Sequence, residues 1–133
     1  MKEKISRFED LIAWQKARAF AGAIYRTASG YRFARDFTIR NQICGAALSV
    51  PSNIAEGFER DRLKEFHQFL SIAKSSCAEV RSDLYVAFDI EYIDEEALHR
   101  LLQQGEEVGR IVGGLRRSIE SQLRTQDAGL RTR

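Results

Sequence analysis

Ser49-Val50-Pro51-Ser52-Asn53-Ile54-Ala55-Glu56-Gly57 sets a proline, an amide, a carboxylate and a closing glycine inside a stretch whose flanks read as helix. A proline in a helix interior costs about 3 kcal/mol. The block therefore either ends a helix or is retained for packing and polar contacts that offset the cost. Upstream of it, Ile39, Ile43, Ala46, Ala47 and Val50 keep three-and-four spacing behind Asp36, a suitable N-cap. This predicts a second helix running from Asp36 to a glycine stop at Gly57. Downstream, Asp61 is the expected cap of a third helix of about 28 residues, roughly 42 Å at 1.5 Å per residue. Its buried face is Phe66, Phe69, Leu70, Ala73, Cys77, Val80, Leu84, Ala87 and Phe88.

The outer segments are helical too. Phe8, Leu11 and Ile12, then Trp14, Ala17, Ala21, Ile24 and Ala28, mark a first helix that stops at Ser29 and Gly30. Asp94 caps a fourth, with Glu95 and Glu96 complementing its dipole and Ile93 and Leu98 at hydrophobic-staple spacing. Leu98, Leu101, Gly105, Val108, Val112, Leu115 and Ile119 form its core stripe, and Gly105, Gly109 and Gly113 a ladder that suits a close helix crossing. The fold class is all-α: an antiparallel up-down-up-down four-helix bundle. Residues 1–125 form the single domain, and the basic tail 126–133, which has no apolar period, is expected to fray. With the second turn centred near residue 60, level residues in the hairpin should total about 120 in an antiparallel pair. That sets Gln42 beside Glu79, Ser49 near Leu70 and Ser71, and Cys44 near Cys77.

The 133 residues suffice for one continuous core, and every apolar run is broken by charge well before the roughly 20 residues of a membrane span. The N-terminal charges lead into Phe8, Glu9 and Asp10 rather than an apolar signal segment, so a soluble, cytoplasmic protein with no membrane partner is expected. The net charge of +2 hides a segregation: residues 1–40 carry a net +5, residues 41–109 a net −7 and residues 110–133 a net +4. Basic ends around an acidic middle suit either an anion-binding surface or attraction to the acidic region of a neighbouring subunit.

Catalytic chemistry finds little support. Cys44 and Cys77 read as free, buried thiols in a cytoplasmic chain. Glu96 and His99 have the Glu-x-x-His spacing of di-iron bundles, but a second copy is missing and the only other histidine, His67, follows Lys64; no metal and no cofactor are expected. Serines 49, 52, 71, 75 and 76 lie on helices without a nucleophile elbow or a nearby base, so the chain is not expected to be an enzyme. What remains is a polar stripe. Ser49, Asn53, Glu56 and Arg60 recur on the second helix, and Ser75, Glu79 and Ser82 on the third. With Gln42 they are expected to form a buried network that pins the register and satisfies the carbonyl freed by Pro51 near Ala47; a ligand or partner site is the other reading.

Phe8, Leu11, Trp14 and Ala17, then Gln42 and the Ser49 to Gly57 block, then Glu65, Phe66, Phe69, Leu70, Ala73, Ser76 and Glu79 resemble the four-helix bundle proteins encoded in intervening sequences of bacterial 23S ribosomal RNA genes. The resemblance spans residues 8 to 120 and extends distantly to the accessory protein of diversity-generating retroelements, through Glu107 to Ile111. It implies a ring-like homopentamer with basic surface and no established enzymatic activity. The distant relative implies binding to a reverse transcriptase and nucleic acid. Cys44 and Gly45 replace basic residues expected after the glutamine, which weakens carry-over of nucleic-acid binding through the second helix.

The first helix carries apolar residues on two faces, Phe8, Leu11 and Ile12 apart from Trp14, Ala21 and Ile24, and the second face calls for another copy of the chain. On the fourth helix Arg110, Arg117, Arg124 and Arg131 recur every seven residues, with Arg116 alongside, more cations than dipole compensation needs. The expected function is therefore binding of RNA or DNA, RNA first, through Arg110, Arg116, Arg117 and Arg124 of an oligomer. The alternative is a scaffold that docks an acidic protein partner or a polymerase.

Overall fold

The computed structural model describes residues 4–131. A 3-10 turn at Phe8–Asp10 leads into α1 (Ile12–Thr27), α2 (Tyr31–Arg35), α3 (Phe37–Glu59), α4 (Leu63–Asp89) and α5 (Glu95–Arg131). The four long helices pack in a ring in chain order, α1 on α3, α3 on α4, α4 on α5 and α5 back on α1. Bonded pairs across the α3/α4 seam, Gln42 with Asp83 and Ser49 with Ser76, both total 125, and Ser71 with Arg116 and His67 with Glu120 across α4/α5 both total 187. Constant totals mean opposed directions, so the bundle runs up, down, up, down as its sequence pattern requires. α2 is a single turn in the longest connection and anchors it through the fully buried Phe33.

The core follows from the periodicity. Phe20, Ile24, Ile43, Val50, Ile54, Leu70, Val80, Leu84, Leu101, Val108 and Val112 are all buried to within 1% exposure. Ala17, Ala47, Ala73 and Ala87, fully buried at the helix contacts, let the backbones approach. Two expected caps hold: Asp36 Oδ1 accepts from the Ile39 amide at 3.4 Å, and Asp94 Oδ1 from the Ala97 amide at 2.8 Å. Asp36 also ties in the far end of the bundle, since the Tyr92 hydroxyl donates to its Oδ2 at 2.8 Å.

Several expectations are corrected. Helix α3 continues through Pro51, which is buried, and past Gly57 to Glu59. Gly57 is not a stop: a Cβ there would sit 2.5 Å from Phe69 Cβ and 3.1 Å from Phe66 Cδ1, so the glycine is where α4 comes closest. Asp61 does not cap α4; it turns the chain in the left-handed region (φ 60°), and Arg62 holds the cap position. That moves the turn two to three residues along and shifts the register from 120 to 125. Gln42 therefore donates to Asp83, at 3.2 and 3.4 Å, and not to Glu79. Glu56 and Glu79 are exposed and make no hydrogen bond or ion pair among the described residues.

The buried polar layer is smaller than expected. Ser49 Oγ and Ser76 Oγ are 2.9 Å apart, and the Asn53 amide donates to Ser49 Oγ and to the Ser49 carbonyl, both at 2.8 Å. Asn53 thus serves Ser49, not the Ala47 carbonyl freed by Pro51. Arg60, at the end of the stripe, lies over the Phe69 ring at 5.3 Å. Cys44 and Cys77 are buried free thiols, and Cys77 Sγ donates to the Gly105 carbonyl on α5 at 3.1 Å. Burial pushes both thiols above their ordinary pKa, against the opposing charges of Arg40 and Arg81. At the other end of the chain α5 stays helical to Arg131, past residue 125 where fraying was expected.

Candidate nucleic-acid interface

The glycine ladder on α5 does two different jobs. At Gly105 an added Cβ would meet Phe20 Cζ at 3.0 Å and Arg81 Cγ at 3.1 Å, the close crossing its sequence suggests. At Gly109 the nearest atom is Cys77 Sγ at 3.9 Å, and at Gly113 the nearest are the flexible ends of Arg117 (Nη1, 3.4 Å) and Lys74 (Nζ, 3.7 Å). The lower two rungs therefore do not bring another helix closer. They open a groove of about 340 Å3 between α4 and α5, with Cys77, Ala78, Gly109 and Gly113 as its floor and Lys74, Arg81, Glu106, Arg110 and Arg117 as its walls.

Four cations face one carboxylate across that groove. The α4/α5 register sets Lys74 level with Gly113, where Arg117 leans back toward the helix N-terminus as helical side chains do, so Lys74 and Arg117 share one level. Arg81 sits against Gly105, and Arg110, leaning the same way, pairs with it about 10.5 Å further along, seven residues at 1.5 Å each. Arg81 Nε is the one buried side-chain polar atom among the described residues with no hydrogen-bond partner.

The expected arginines separate into two groups. Arg110 and Arg117 line the groove, and Arg124 continues their line, exposed, toward the end of the bundle. Arg116 does not belong with them. It turns into the α4/α5 seam, where its Nη1 donates to Ser71 Oγ at 3.3 Å and its Nε lies 3.7 Å from Glu120 Oε1. The same Glu120 oxygen is 2.8 Å from His67 Nε2. That hydrogen bond, reinforced by the charges of His67, Arg116 and Arg124, holds the Glu120 carboxyl below its ordinary pKa. Arg116 is thus a fastener between helices. The side chain of Arg131 lies outside the described residues. Lys74 and Arg81, which complete the groove, belong to the acidic middle of the sequence and carry no signal until α4 is laid beside α5.

Elsewhere the described residues offer no group of histidine, cysteine and carboxylate side chains arranged to hold a metal. His99 forms an exposed pair with Glu95 at 3.5 Å, one turn away. Phe8, set apart from α1 in its own turn, folds back edge-on to Trp14 with ring centroids 5.1 Å apart, so part of the second apolar face is covered from within the chain. Tyr25 and Leu48 stay exposed around a groove between α1 and α3, and Ile12 is exposed on another face of α1. Among the described residues, no helix is long and apolar enough to cross a membrane.

No curated protein sequence matches the chain. A crystal structure of a protein of unknown function from the S23 ribosomal protein family of Bacteroides thetaiotaomicron has the same fold, with a TM-score of 0.72 at 21% identity; the match covers 78% of this chain and 97% of that one. The model of the 23S rRNA-intervening sequence proteins matches residues 9–114, which takes in α1 to α4 and α5 as far as Gly114, short of Arg117, and the chain belongs to that family.

Proposed function

We propose that this bundle is a non-enzymatic, cytoplasmic nucleic-acid-binding protein, with RNA the first expected ligand, and that the α4/α5 groove is its contact surface. The observation that carries this is the convergence of Lys74, Arg81, Arg110 and Arg117 on one groove against the single carboxylate of Glu106, with Arg124 extending the line. Phosphates neutralised by such a row release counterions, so affinity should fall by about 0.9 log units per log unit of salt for each duplex phosphate and about 0.7 for single strands. The test is fluorescence anisotropy with labelled RNA and DNA over a salt series, comparing wild type with an Arg110→Glu/Arg117→Glu variant and with Arg116→Gln. Binding that is strong at low salt, lost in the double variant and kept by Arg116→Gln supports the reading. Absence of binding at low salt would remove it.

The second reading is a scaffold that docks an acidic protein or a polymerase on the same cations. Displacement of the oligonucleotide by polyglutamate at equal charge concentration would favour it. We also propose that the chain assembles with copies of itself, as a pentamer if it follows its family resemblance. The support is apolar surface left open at the α1/α3 groove, where Tyr25 is 44% and Leu48 51% exposed. Light scattering at micromolar concentration that gave the monomer mass of 15.2 kDa would end that part of the proposal.

A further inference from the structure

Resting on the nucleic-acid reading, we infer that the ligand enters the groove as a single strand, its backbone lying along the Gly109–Gly113 floor and one base stacking on Tyr85. Three observations lead there. The first is width. Adjacent packed helices have axes about 8–10 Å apart, and the groove between α4 and α5 is deepened only by the missing side chains of Gly109 and Gly113. A duplex, whose two strands are fixed on a broad, stiff cylinder, rests on the rim formed by Arg110 and Arg117 and leaves the floor empty. One sugar-phosphate chain reaches the floor.

The second is the spacing of charge. The Lys74/Arg117 and Arg81/Arg110 levels are about 10.5 Å apart along the groove, so cations flank its floor at two heights. One strand lying along the floor therefore passes Lys74 and Arg117 at one height and Arg81 and Arg110 at the other.

The third is the aromatic at the end of the track. Lys74, Arg81 and Tyr85 follow one another on α4 at seven and four residues, which keeps them within about 40° on the helix surface at 3.6 residues per turn. Tyr85 is 53% exposed and makes no aromatic contact among the described residues. An exposed ring in line with a cationic groove is the platform that single-strand binders use, because every base has a face to stack. Tyr85 lies just past the groove, and none of the groove's own lining residues is aromatic, so binding is to backbone and one base and is largely independent of sequence.

The experiment measures binding of a labelled 12-nucleotide uridine oligomer, and of an RNA hairpin with a 12-base-pair stem, to the full chain at one salt concentration. Wild type should prefer the single strand by at least about tenfold. Ala78→Leu fills the groove from an exposed floor position without touching a charge and should weaken single-strand binding about tenfold or more. Tyr85→Ala should weaken it about fivefold or more, and Tyr85→Phe should restore it. Because Ala78 and Tyr85 are exposed, circular dichroism is expected to match wild type in all three variants, and the binding loss is then read directly. Equal binding of hairpin and single strand, or no effect of Ala78→Leu and Tyr85→Ala while Arg110→Glu/Arg117→Glu abolishes binding, overturns this inference and leaves the general reading standing. Loss of all binding in wild type overturns both.

Discussion

Helix α3 carries two glycines whose replacement by alanine should act in opposite directions. At Gly45 an added Cβ meets nothing within 4 Å, so the methyl group only improves helix propensity, worth about 1 kcal/mol. At Gly57 the same methyl lands 2.5 Å from Phe69 Cβ, where carbon pairs prefer about 3.5–4.0 Å. Phe69 Cβ is attached directly to the α4 backbone and has no rotamer that removes it. The helices must then part by an ångström or more, or α3 must roll, at the usual cost of overpacking a tight contact, about 1–3 kcal/mol. Because the propensity gain is common to both, Gly57→Ala should be less stable than Gly45→Ala by about that amount. With a urea slope near 2 kcal/mol per molar, the midpoints should lie roughly 0.5–1.5 M apart, with Gly45→Ala above wild type. Urea titrations followed by circular dichroism at matched protein concentration measure this. A midpoint for Gly57→Ala at or above that of Gly45→Ala would refute the reasoning that Gly57 is kept for close approach.

Ser49→Ala removes the hydroxyl that Ser76 pairs with, while Asn53 keeps the Ser49 carbonyl, and should cost about 1–3 kcal/mol, whereas the exposed Glu56→Ala and Glu79→Ala should stay within about 0.5 kcal/mol of wild type; urea midpoints decide. Asp83 is buried beside Gln42, and desolvation, with the Glu79 charge adding and the Gln42 hydrogen bond opposing, raises its carboxyl above the ordinary value of 3.8. A carboxylate whose folded pKa is raised penalises the fold above that pKa and not below the unfolded value, so stability should fall as pH rises through this window. Asp83→Asn should therefore stabilise at pH 7 and lose its advantage as pH approaches 3.8, as read from melts at a series of pH values. Cys44 and Cys77 are buried with raised thiol pKa values, so Ellman's reagent should modify the native chain slowly and the urea-unfolded chain at once; rapid native labelling at pH 8 would contradict the packing of Cys77 against Gly105.

The helices, their antiparallel order and two of their caps were legible because each rests on local chemistry. Three-and-four spacing buries a face wherever the helix ends up, and Asp36 and Asp94 satisfy amides three residues away. The register across the α3/α4 turn was not legible, and one residue explains most of the error. Asp61 looks like an N-cap by type, but it takes a positive φ and turns the chain. That delays α4 and replaces Glu79 by Asp83 as the partner of Gln42. Gly57 misled for a related reason. A glycine near the end of an apolar period signals a stop in sequence, and only the approach of Phe69 reveals that it is a contact residue.

The candidate interface shows the same division between what one helix displays and what two helices make. Arg110 and Arg117 announce themselves by heptad repetition on α5, as does Arg124. Repetition does not say which arginines stay available. Arg116 has the same type and a neighbouring position, yet Ser71, Glu120 and His67 of the seam absorb it. Arg81 sits between Glu79 and Asp83, and Lys74 stands alone in a run of small and apolar residues, so neither forms a basic cluster in the chain. Their contribution depends on α4 lying antiparallel to α5 at the register that puts Lys74 over Gly113 and Arg81 over Gly105. A groove of this kind is a property of a pair of helices. The glycines make room, one helix supplies two cations, the other supplies two more, and the charge that matters is the sum across the seam rather than the net +2 of the chain.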